Sequence, residues 1–341
     1  MSQSCCCQGN SCSCSTGKDE VPVVSTKLTF QDTLGSWKVR WGIGRMTYTV
    51  DPGLYAVGKP DSDSYVFVSA NYKMSFDELR KNLDGLDCWI LVLDTRGVNV
   101  WCAAGKGTFG TDELVQRIED TGLSEIVTRR KLILPQLGAS GVCAHEVWQR
   151  SGFSVVFGPV RASDIKAFIT ASLKATKEMR EVTFPLRDRL AVTPMELLPA
   201  LRRTLPVFGV VFLLNFIARR PFGLFDALAY IGAIMVGSVV TPILLPFIPV
   251  RAFSLKGWLL GIVFTVIALL CFGYFSPGYW LLTIGYCLLL PAISAYLALN
   301  FTGASTYPSP SGVQKEMKRS LPFILGGVVA GGILILIHKL F

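Results

Sequence analysis

The chain contains 341 residues, of which 51% are hydrophobic, and it carries a formal net charge of +9 at pH 7. This length accommodates two domains of ordinary size. The positive charge does not indicate nucleic-acid binding, because the Lys and Arg residues cluster beside long apolar runs and no basic strand with interleaved aromatic residues is present. We therefore expect membrane lipid, and no nucleic acid, as the partner of these charges.

Residues 1–26 form a polar, cysteine-rich tail that contains Cys5, Cys6, Cys7, Cys12 and Cys14. Two interpretations remain open: a disordered segment, or a loose set of thiolates for a soft metal ion such as Hg(II), Cu(I) or Zn(II). Residues 1–16 lack the apolar core of a secretory signal. We therefore expect the soluble part of the chain to stay in the cytoplasm, with its cysteines reduced.

Residues 27–178 have an α/β pattern. Apolar runs predict strands at Tyr65–Ser69, Cys88–Leu93, Lys131–Leu134 and Phe153–Phe157. Between and after them, helices are predicted from a Ser75/Glu78 capping box to Gly85, from Thr111 to Thr121, from Val142 to Arg150, and over about Asp164–Lys177 with Ser163 as cap. Strands that alternate with helices of this length predict a doubly wound, Rossmann-like α/β sheet.

Residues 179–204 are predicted as a basic linker punctuated by proline, and residues 205–341 as an all-α transmembrane domain of five helices. The predicted spans cover about 205–218, 224–247, 257–275, 279–300 and 321–338, each an apolar run of the kind that crosses a bilayer. The first run is short, so an interfacial helix is the alternative there.

The basic residues near the span ends are distributed unequally. Seven lie on the side of the soluble domain and three on the other, which predicts that the soluble domain faces the cytoplasm at the inner membrane. The residues on the side of the soluble domain are Arg202, Arg203, Arg251, Lys256, Lys315, Lys318 and Arg319. Those on the other side are Arg219, Arg220 and Lys339. Asp226 and His338 lie only at the span margins, which favours an anchor or assembly platform over a transporter.

The stretch Asn99–Lys106 (Asn-Val-Trp-Cys-Ala-Ala-Gly-Lys) follows the apolar run Cys88–Leu93. Cys102 is therefore predicted on a connection that leaves the carboxyl end of a strand, where open α/β sheets bind their ligands. Trp101 offers a wide ring on one side of Cys102, and small residues follow on the other. This arrangement would suit a large, flat cofactor ligated by the thiolate.

Three other interpretations of the stretch remain open. Gly105–Gly110 matches G-x-G-x-x-G, but the predicted strand ends about a dozen residues earlier, and a dinucleotide site needs the strand to lead directly into the glycines. A nucleophilic Cys102 would need His145 as its base, with no evident residue to orient that histidine. The third interpretation is a small buried side chain in a strand–helix turn.

The octapeptide at Asn99–Lys106 resembles that of the HgcA family of mercury-methylating corrinoid proteins, and the resemblance covers nearly the whole chain past about residue 30. Three further segments are similar to the corrinoid domain of the corrinoid iron–sulfur protein of the acetyl-CoA pathway. They are residues 68–80, 134–138 and 157–164. The resemblance implies a corrinoid (cobalamin-type) cofactor and methyl transfer from a methyl-corrinoid to Hg(II), giving methylmercury.

Site residues are carried over from this resemblance. Cys102 is expected to be the lower ligand of the corrinoid cobalt, Asn99 and Trp101 to support it, and Lys106 to offset its charge. The cofactor-binding residues it implies are Asn99, Val100, Trp101, Cys102, Ala103, Ala104, Gly105 and Lys106, with Ser69, Ala70, Asn71, Gln136, Leu137, Gly138, Gly158, Pro159, Val160 and Arg161 on strand-end loops. Ala103, Ala104 and Gly105 are expected to permit close approach of the corrin.

The resemblance also implies protein partners. A cluster domain like that of the iron–sulfur protein is absent from this sequence, so electrons are expected from a ferredoxin-like protein, HgcB, with two [4Fe–4S] clusters, which is also a candidate Hg(II) donor. The methyl group is expected from a donor protein or a methyl-tetrahydrofolate-type donor. His145 lies outside the D-x-H-x-x-G pattern of His-ligated cobalamin proteins, which leaves the lower-ligand role to Cys102.

Two rival functions remain. One is a membrane-tethered corrinoid methyl carrier of the acetyl-CoA or one-carbon pathway that does not act on mercury, because a fold alone does not determine the methyl acceptor. The other is a membrane thiol protein that sequesters soft metals through the tail and Cys102.

Overall fold

The structure is a computed structural model, and it describes residues 21–305 and 310–341. The proposed metal-binding cysteines of the tail lie outside these residues. The described chain divides into two units, one formed by residues 21–28 and 49–179 and the other by residues 29–48 and 180–341. The segment 29–48, which the sequence assigns to the soluble domain, therefore belongs with the unit that contains the apolar helices.

The elements are numbered along the chain. The first half contains α1 (Phe30–Arg40), β1 (Gly53–Val57), β2 (Tyr65–Ala70), α2 (Lys73–Asn82), β3 (Cys88–Leu93), α3 (Val100–Lys106), α4 (Thr111–Asp120), α5 (Leu123–Ile126), β4 (Lys131–Leu134), α6 (Ala144–Ser151), β5 (Ser154–Phe157), α7 (Ile165–Thr170) and α8 (Lys177–Arg180). The second half contains α9 (Leu186–Leu214), α10 (Leu224–Met235), α11 (Thr241–Leu244), α12 (Phe253–Cys271), α13 (Trp280–Asn300) and α14 (Pro310–Leu340).

The five strands of the first unit form one sheet in the order β1-β3-β2-β4-β5. β3, β2, β4 and β5 pair in parallel, whereas β1 is antiparallel to β3. The chain passes from β2 outward to β3, and then returns across β2 to β4 and β5. The connections of the adjacent strands β2 and β4 therefore diverge, which is the topological switch point where such sheets bind ligands.

Two apolar layers cover the sheet. One contains Leu91, Phe109, Leu114 and Val147, which brings α3, α4 and α6 onto one face. The other contains Ile90, Phe76 and Phe168, which brings α2 and α7 onto the opposite face. Every residue of β3 is buried, as expected for a strand covered on both faces. The predicted fold class, a doubly wound α/β domain followed by an apolar helical domain, is confirmed.

Several predicted element ends are wrong for local reasons. Ser75 does not cap α2, because the helix already begins at Lys73 and the Tyr72 carbonyl accepts the N–H of Ser75. Thr111 begins α4 without capping it, and its hydroxyl instead accepts the N–H of Cys143 at 2.9 Å. The last predicted helix is much shorter than expected, since α7 ends at Thr170.

Most of the predicted linker, from Leu186 onward, is helical. α9 runs without interruption from Leu186 to Leu214 and contains Pro194, Pro199 and Pro206. A proline removes the N–H that would bond the carbonyl four residues earlier. The Leu190 carbonyl, which Pro194 leaves without that donor, accepts the Thr193 hydroxyl at 2.7 Å instead. Hydroxyl groups of this kind are one way in which apolar helices tolerate proline.

Five helices of the described chain are long and apolar enough to cross a membrane, as the sequence predicts. They cover Leu186–Leu214, Leu224–Leu244, Phe253–Cys271, Pro277–Gly303 and Ser311–Leu340. α12 and α13 approach closely at glycine, since a Cβ on Gly257 would lie 2.5 Å from the Ser294 carbonyl oxygen. α13 and α14 do the same at Gly331, whose Cβ would lie 2.6 Å from the Gly285 oxygen. Small residues at such contacts are typical of helices packed in lipid.

A buried polar cluster joins the ends of three of these helices. Asp226, on the first turn of α10, pairs with Lys339 of α14 at 3.0 Å, and both side chains are nearly buried. The Tyr286 hydroxyl of α13 donates to the same carboxylate. The sequence places Asp226 only at a span margin; the structure makes it the centre of a contact among α10, α13 and α14.

Candidate functional site

The connections that follow β2, β3, β4 and β5 all leave the carboxyl edge of the sheet, because these four strands are parallel. The sequence-predicted segments therefore share one edge. Direct contacts join each of these segments to a neighbouring one. Asn71 after β2 bonds the loop after β3, Gly141 after β4 packs on α3, and the Gln136 N–H lies 3.5 Å from the Pro159 carbonyl after β5.

The Asn71 side chain holds the connection between β3 and α3. Its Oδ1 accepts the backbone N–H groups of Thr95 and Gly97 at 3.1 and 3.0 Å. The Thr95 hydroxyl lies 2.8 Å from the same oxygen and 2.7 Å from the Val98 carbonyl oxygen, and its single proton can donate to only one of the two at a time. The Asn71 Nδ2 donates to Asp94 at 3.0 Å. One side chain thus contacts three residues of the turn that leads to Cys102, Asp94, Thr95 and Gly97.

This turn has an unusual backbone. Arg96 and Gly97 both have left-handed φ values, 55° and 70°, so two successive residues bend the chain away from β3. Asp94 Oδ1 accepts the N–H of Arg96 at 2.9 Å, and the Asp94 N–H donates to Glu113 of α4 at 2.8 Å. The turn is therefore held from β2 and from α4. Asp94, Thr95 and Gly97 are not among the predicted site residues, although two polar residues directly after a buried strand are a signal for such a site.

Cys102 lies in the first turn of α3. Asn99 is the N-cap of this helix, and its Oδ1 accepts the Cys102 N–H at 2.9 Å. The helix ends at Gly107, whose φ is 80°. The Cys102 side chain is exposed, as is Trp101 beside it, at 43%. The thiol is therefore accessible at the carboxyl edge of the sheet, and the interpretation of Cys102 as a buried packing residue is wrong.

The small residues of α3 face two directions. Ala103 and Ala104 are buried in the core of the domain itself, where the Ala104 Cα would lie 3.0 Å from a Cβ placed on Gly141. Their size thus allows α3 to lie close to the loop after β4, a different role from the one expected. Gly105 is exposed, and a Cβ added there would meet nothing within 4 Å. Of the three, only Gly105 offers the open surface that the sequence predicted.

The remaining predicted residues are placed as follows. Ser69 and Ala70 are the buried last residues of β2 rather than loop residues, and Val100 is also buried. Leu137 packs against the core, and Gly138 is buried against the Phe109 ring. Gly158 and Pro159 are buried, Val160 is half-buried, and Lys106 and Arg161 are exposed.

Two rival chemistries lose support from this geometry. The glycines of the G-x-G-x-x-G match end α3 and precede α4, so no strand leads into them as a dinucleotide site requires. His145 lies 6.4 Å from the Trp148 ring on α6, and in the described residues no hydrogen bond joins it to Cys102.

The described residues also contain no cluster of three or more His, Cys, Asp or Glu side chains that could hold a metal ion.

One buried polar atom at this edge has no protein partner. The side-chain oxygen of Gln136 is enclosed and, within the described residues, accepts no hydrogen bond. Buried polar groups are almost always paired, so an unpaired acceptor is an observation that a bound donor would explain. Gln136 follows β4, next to β2, and therefore lies at the switch point of the sheet.

The comparisons with known proteins find relatives of the α/β unit. Residues 43–169 match the family model of CdhD, described as CO dehydrogenase/acetyl-CoA synthase delta subunit. This match covers the sheet and all four strand-end connections.

Particular relatives carry the name acetyl-CoA decarbonylase/synthase complex subunit gamma. The protein from Methanocaldococcus jannaschii is 31% identical over 140 residues, which are 40% of this chain and 28% of the relative. Those from Methanopyrus kandleri and Archaeoglobus fulgidus are 31% and 32% identical, over 35% and 37% of this chain and 26% and 27% of theirs. The chain thus spans little more than a quarter of the length of these relatives.

Proposed function

We propose that this chain is a membrane-bound corrinoid methyltransferase that passes a methyl group to Hg(II), and that Cys102 would be the protein ligand of the cobalt. The observation that carries the proposal is the exposed thiol of Cys102, held on a short capped helix at the carboxyl edge of a parallel sheet. The likeness to subunits of the acetyl-CoA decarbonylase/synthase complex supports the corrinoid. The octapeptide around Cys102 supports mercury as the methyl acceptor.

The residues at this edge fit a corrinoid. Such a cofactor needs an accessible protein atom that can ligate its metal and an open surface beside that atom for its flat ring. It also needs hydrogen-bond partners for its amide side chains. Cys102 supplies the sulfur and Gly105 the open surface. The unpaired Gln136 oxygen would accept a hydrogen bond from a cofactor amide. When bound, the corrinoid supplies a cobalt that carries the methyl group, and a thiolate ligand makes that metal richer in electrons.

The chain's own residues set the properties of the sulfur. Asn99 fixes the first turn of α3 and thereby the position of the Cys102 backbone. Asn71 fixes part of the preceding turn, so the backbone that carries the thiol is positioned by two side chains on different connections. Mutation of residues that support a metal ligand typically costs about 10- to 100-fold in metal affinity or activity. Hg(II), a soft ion, would accept the methyl group together with the electron pair of its bond.

The proposal includes partners. A methyl group that left with that electron pair would have to be replaced with the help of a two-electron reductant, and a ferredoxin with two [4Fe–4S] clusters of the HgcB type would supply these electrons. The methyl group would come from a donor protein or a methyl-tetrahydrofolate-type donor. The five apolar helices would anchor the site at the inner membrane, with the α/β unit in the cytoplasm.

A second candidate function is a methyl carrier of one-carbon metabolism that does not act on mercury. The names of the relatives favour it, because each refers to acetyl-CoA decarbonylase/synthase and none to mercury. Both candidates require the same cofactor at the same edge. They differ in the methyl acceptor and in whether the thiolate is essential to the transfer.

The test uses the full chain purified with its corrinoid. We expect Cys102→Ala to change the corrinoid absorption spectrum and to abolish methylmercury formation from Hg(II). Cys102→Thr, similar in shape but a poor soft ligand, should do the same. Cys143→Ala removes another exposed thiol and should leave both readouts unchanged. A methylated wild-type protein that gives no methylmercury would favour the one-carbon carrier, and a protein that binds no corrinoid would contradict both candidates.

A further inference from the structure

We propose that α1 is an interfacial helix that lies in the surface of a bilayer containing anionic phospholipid. Its apolar side chains lie on the outside of the molecule. Phe30, Leu34, Trp37 and Trp41 are all exposed, with Phe30 at 79% and Trp37 at 64%. At 100° per residue these four positions fall within an arc of about 60°, so they form one continuous stripe.

The opposite side of α1 packs on the protein. Val39 is 2% exposed, and it lies about 180° from Phe30 on the helix. Gly35 lies against Tyr48, whose hydroxyl oxygen a Cβ at this position would meet at 2.5 Å. The Tyr48 hydroxyl also donates to the Asp32 carbonyl at 3.2 Å. The apolar stripe is therefore directed outward by the packing of the opposite face.

The charges around the stripe suit anionic headgroups. Lys38 and Arg40 lie roughly 80° to either side of it, the positions from which long basic side chains reach the headgroups while their stems cover apolar surface. Residues 29–48 contain three basic residues and one acidic residue. Two tryptophans in the stripe favour the same location, because their rings combine an apolar body with an N–H donor.

The contact between α1 and α9 places α1 close to the depth of the lipid headgroups. Arg45, just after α1, lies 3.7 Å from the Met195 sulfur and interacts electrostatically with Glu196. Along a helix, Met195 is roughly 10 Å from Arg202, which precedes the strongly apolar part of α9. The headgroup layer is itself several ångströms thick, so α1 is attached to the span near that layer.

A bilayer is the occupant that these observations favour over a protein. α1 belongs to the unit that contains the five apolar helices, and α9, the helix it contacts, exposes Leu205, Phe212 and Leu213 along its apolar half. α1 thus packs on a helix whose apolar half is itself exposed, as the surface of a lipid-facing span would be. A helix with an apolar stripe, flanking basic residues and tryptophan is the pattern of interfacial membrane helices.

The test measures tryptophan quenching in the full chain, reconstituted in nanodiscs of phosphatidylcholine and phosphatidylglycerol. The emission of Trp37 and Trp41 is the difference between the wild type and the Trp37→Phe/Trp41→Phe variant, since tryptophans within the spans contribute equally to both. We expect lipids brominated near the headgroup to quench most of this difference, and aqueous acrylamide to quench little of it. Trp148→Phe removes an exposed tryptophan of the α/β unit, whose emission should show the reverse pattern.

Two results would overturn the proposal. Emission of Trp37 and Trp41 that only acrylamide quenches would place α1 in water, and emission that neither agent quenches would place it beneath another protein surface. Lys38→Glu/Arg40→Glu should reduce the quenching by brominated lipid, because both charges would then be repelled by phosphatidylglycerol. Unchanged quenching in that variant would contradict the role of anionic headgroups.

Discussion

Asn71 Oδ1 accepts the backbone N–H of Gly97 at 3.0 Å, although the two residues belong to connections that leave different strands. The bond joins the end of β2 to the turn that precedes α3. It makes the position of Cys102 depend on a residue outside its own connection.

Replacing Asn71 with Ala should loosen this turn. The N–H groups of Thr95 and Gly97 would lose their acceptor within the protein, at a cost of about 2 kcal/mol in local stability. We expect amide hydrogen exchange in residues 94–99 to become about 30-fold faster, measured by mass spectrometry. Asn82→Ala, which removes an amide at the exposed end of α2, is the matched control. Equal exchange in wild type and Asn71→Ala would show that the turn is held by other contacts.

Gly141, which packs against α3, and Gly105, which lies within it, should respond in opposite ways to alanine. Gly141→Ala would bring a Cβ within 2.2 Å of the Phe109 carbonyl, so the domain should melt at a lower temperature. Gly105→Ala meets no atom and should leave the melting temperature unchanged or raise it, since alanine favours helix by up to about 1 kcal/mol.

A larger residue at Gly105 tests the approach of the cofactor. Gly105→Leu should fold normally, because space is open there, and yet bind less corrinoid per protein, as measured by absorption. Full corrinoid content in Gly105→Leu would mean that the cofactor does not lie over this residue.

The thiols of the α/β unit should differ in reactivity. Burial raises the pKa of Cys88 from 9.0 to about 12, whereas Cys102 and Cys143 are exposed. Iodoacetamide at pH 8 should therefore modify Cys102 and Cys143 but not Cys88, as followed by peptide mass spectrometry. Modification of Cys88 at the rate of Cys102 would contradict its burial.

The same pKa shift has a consequence for stability. The folded protein holds the Cys88 proton more tightly than the unfolded chain does. The contribution of this thiol to the free energy of unfolding is therefore complete below pH 9 and is lost as the pH rises toward 12. Cys88→Ala should remove this part of the alkaline decline in the stability of the domain.

The buried pair between α10 and α14 offers a test in the apolar unit. Asp226→Asn would leave the Lys339 ammonium buried without its carboxylate, which costs about 3 to 5 kcal/mol. We expect a clear fall in melting temperature in detergent. The double variant Asp226→Asn/Lys339→Met removes both charges and should recover much of the loss. Glu78→Gln, at an exposed pair on α2, should have no effect. If the double variant were no more stable than the single one, the ion pair would not be the cause.

The strands were predictable where one physical signal dominated. Cys88–Leu93 and Lys131–Leu134 match the observed strands end to end, because a strand buried on both faces must be continuously apolar. β1 was not predicted, because Gly53–Val57 is short and its burial depends on pairing with β3, more than thirty residues later. Such pairing leaves no local trace in the sequence.

Helix ends and side-chain roles were less predictable. The prolines of α9 indicated a linker, but Thr193 compensates for Pro194 and the helix continues. α1 was not predicted, since its apolar residues face outward and few of its positions are buried. The sequence placed Asn71 at the site as a strand-end residue. Its bonds to Thr95 and Gly97 could not be predicted, because they cross between connections that only the folded sheet brings together.

β1 gives β3 a neighbour on both sides, so the strand that leads to Cys102 is interior to the sheet. Fraying begins at margins, and here the margins are β1 and β5. Local opening at β5 therefore leaves β3 paired on both sides, and opening at β1 leaves it paired with β2. The connection that carries Cys102 stays joined to the sheet in either case.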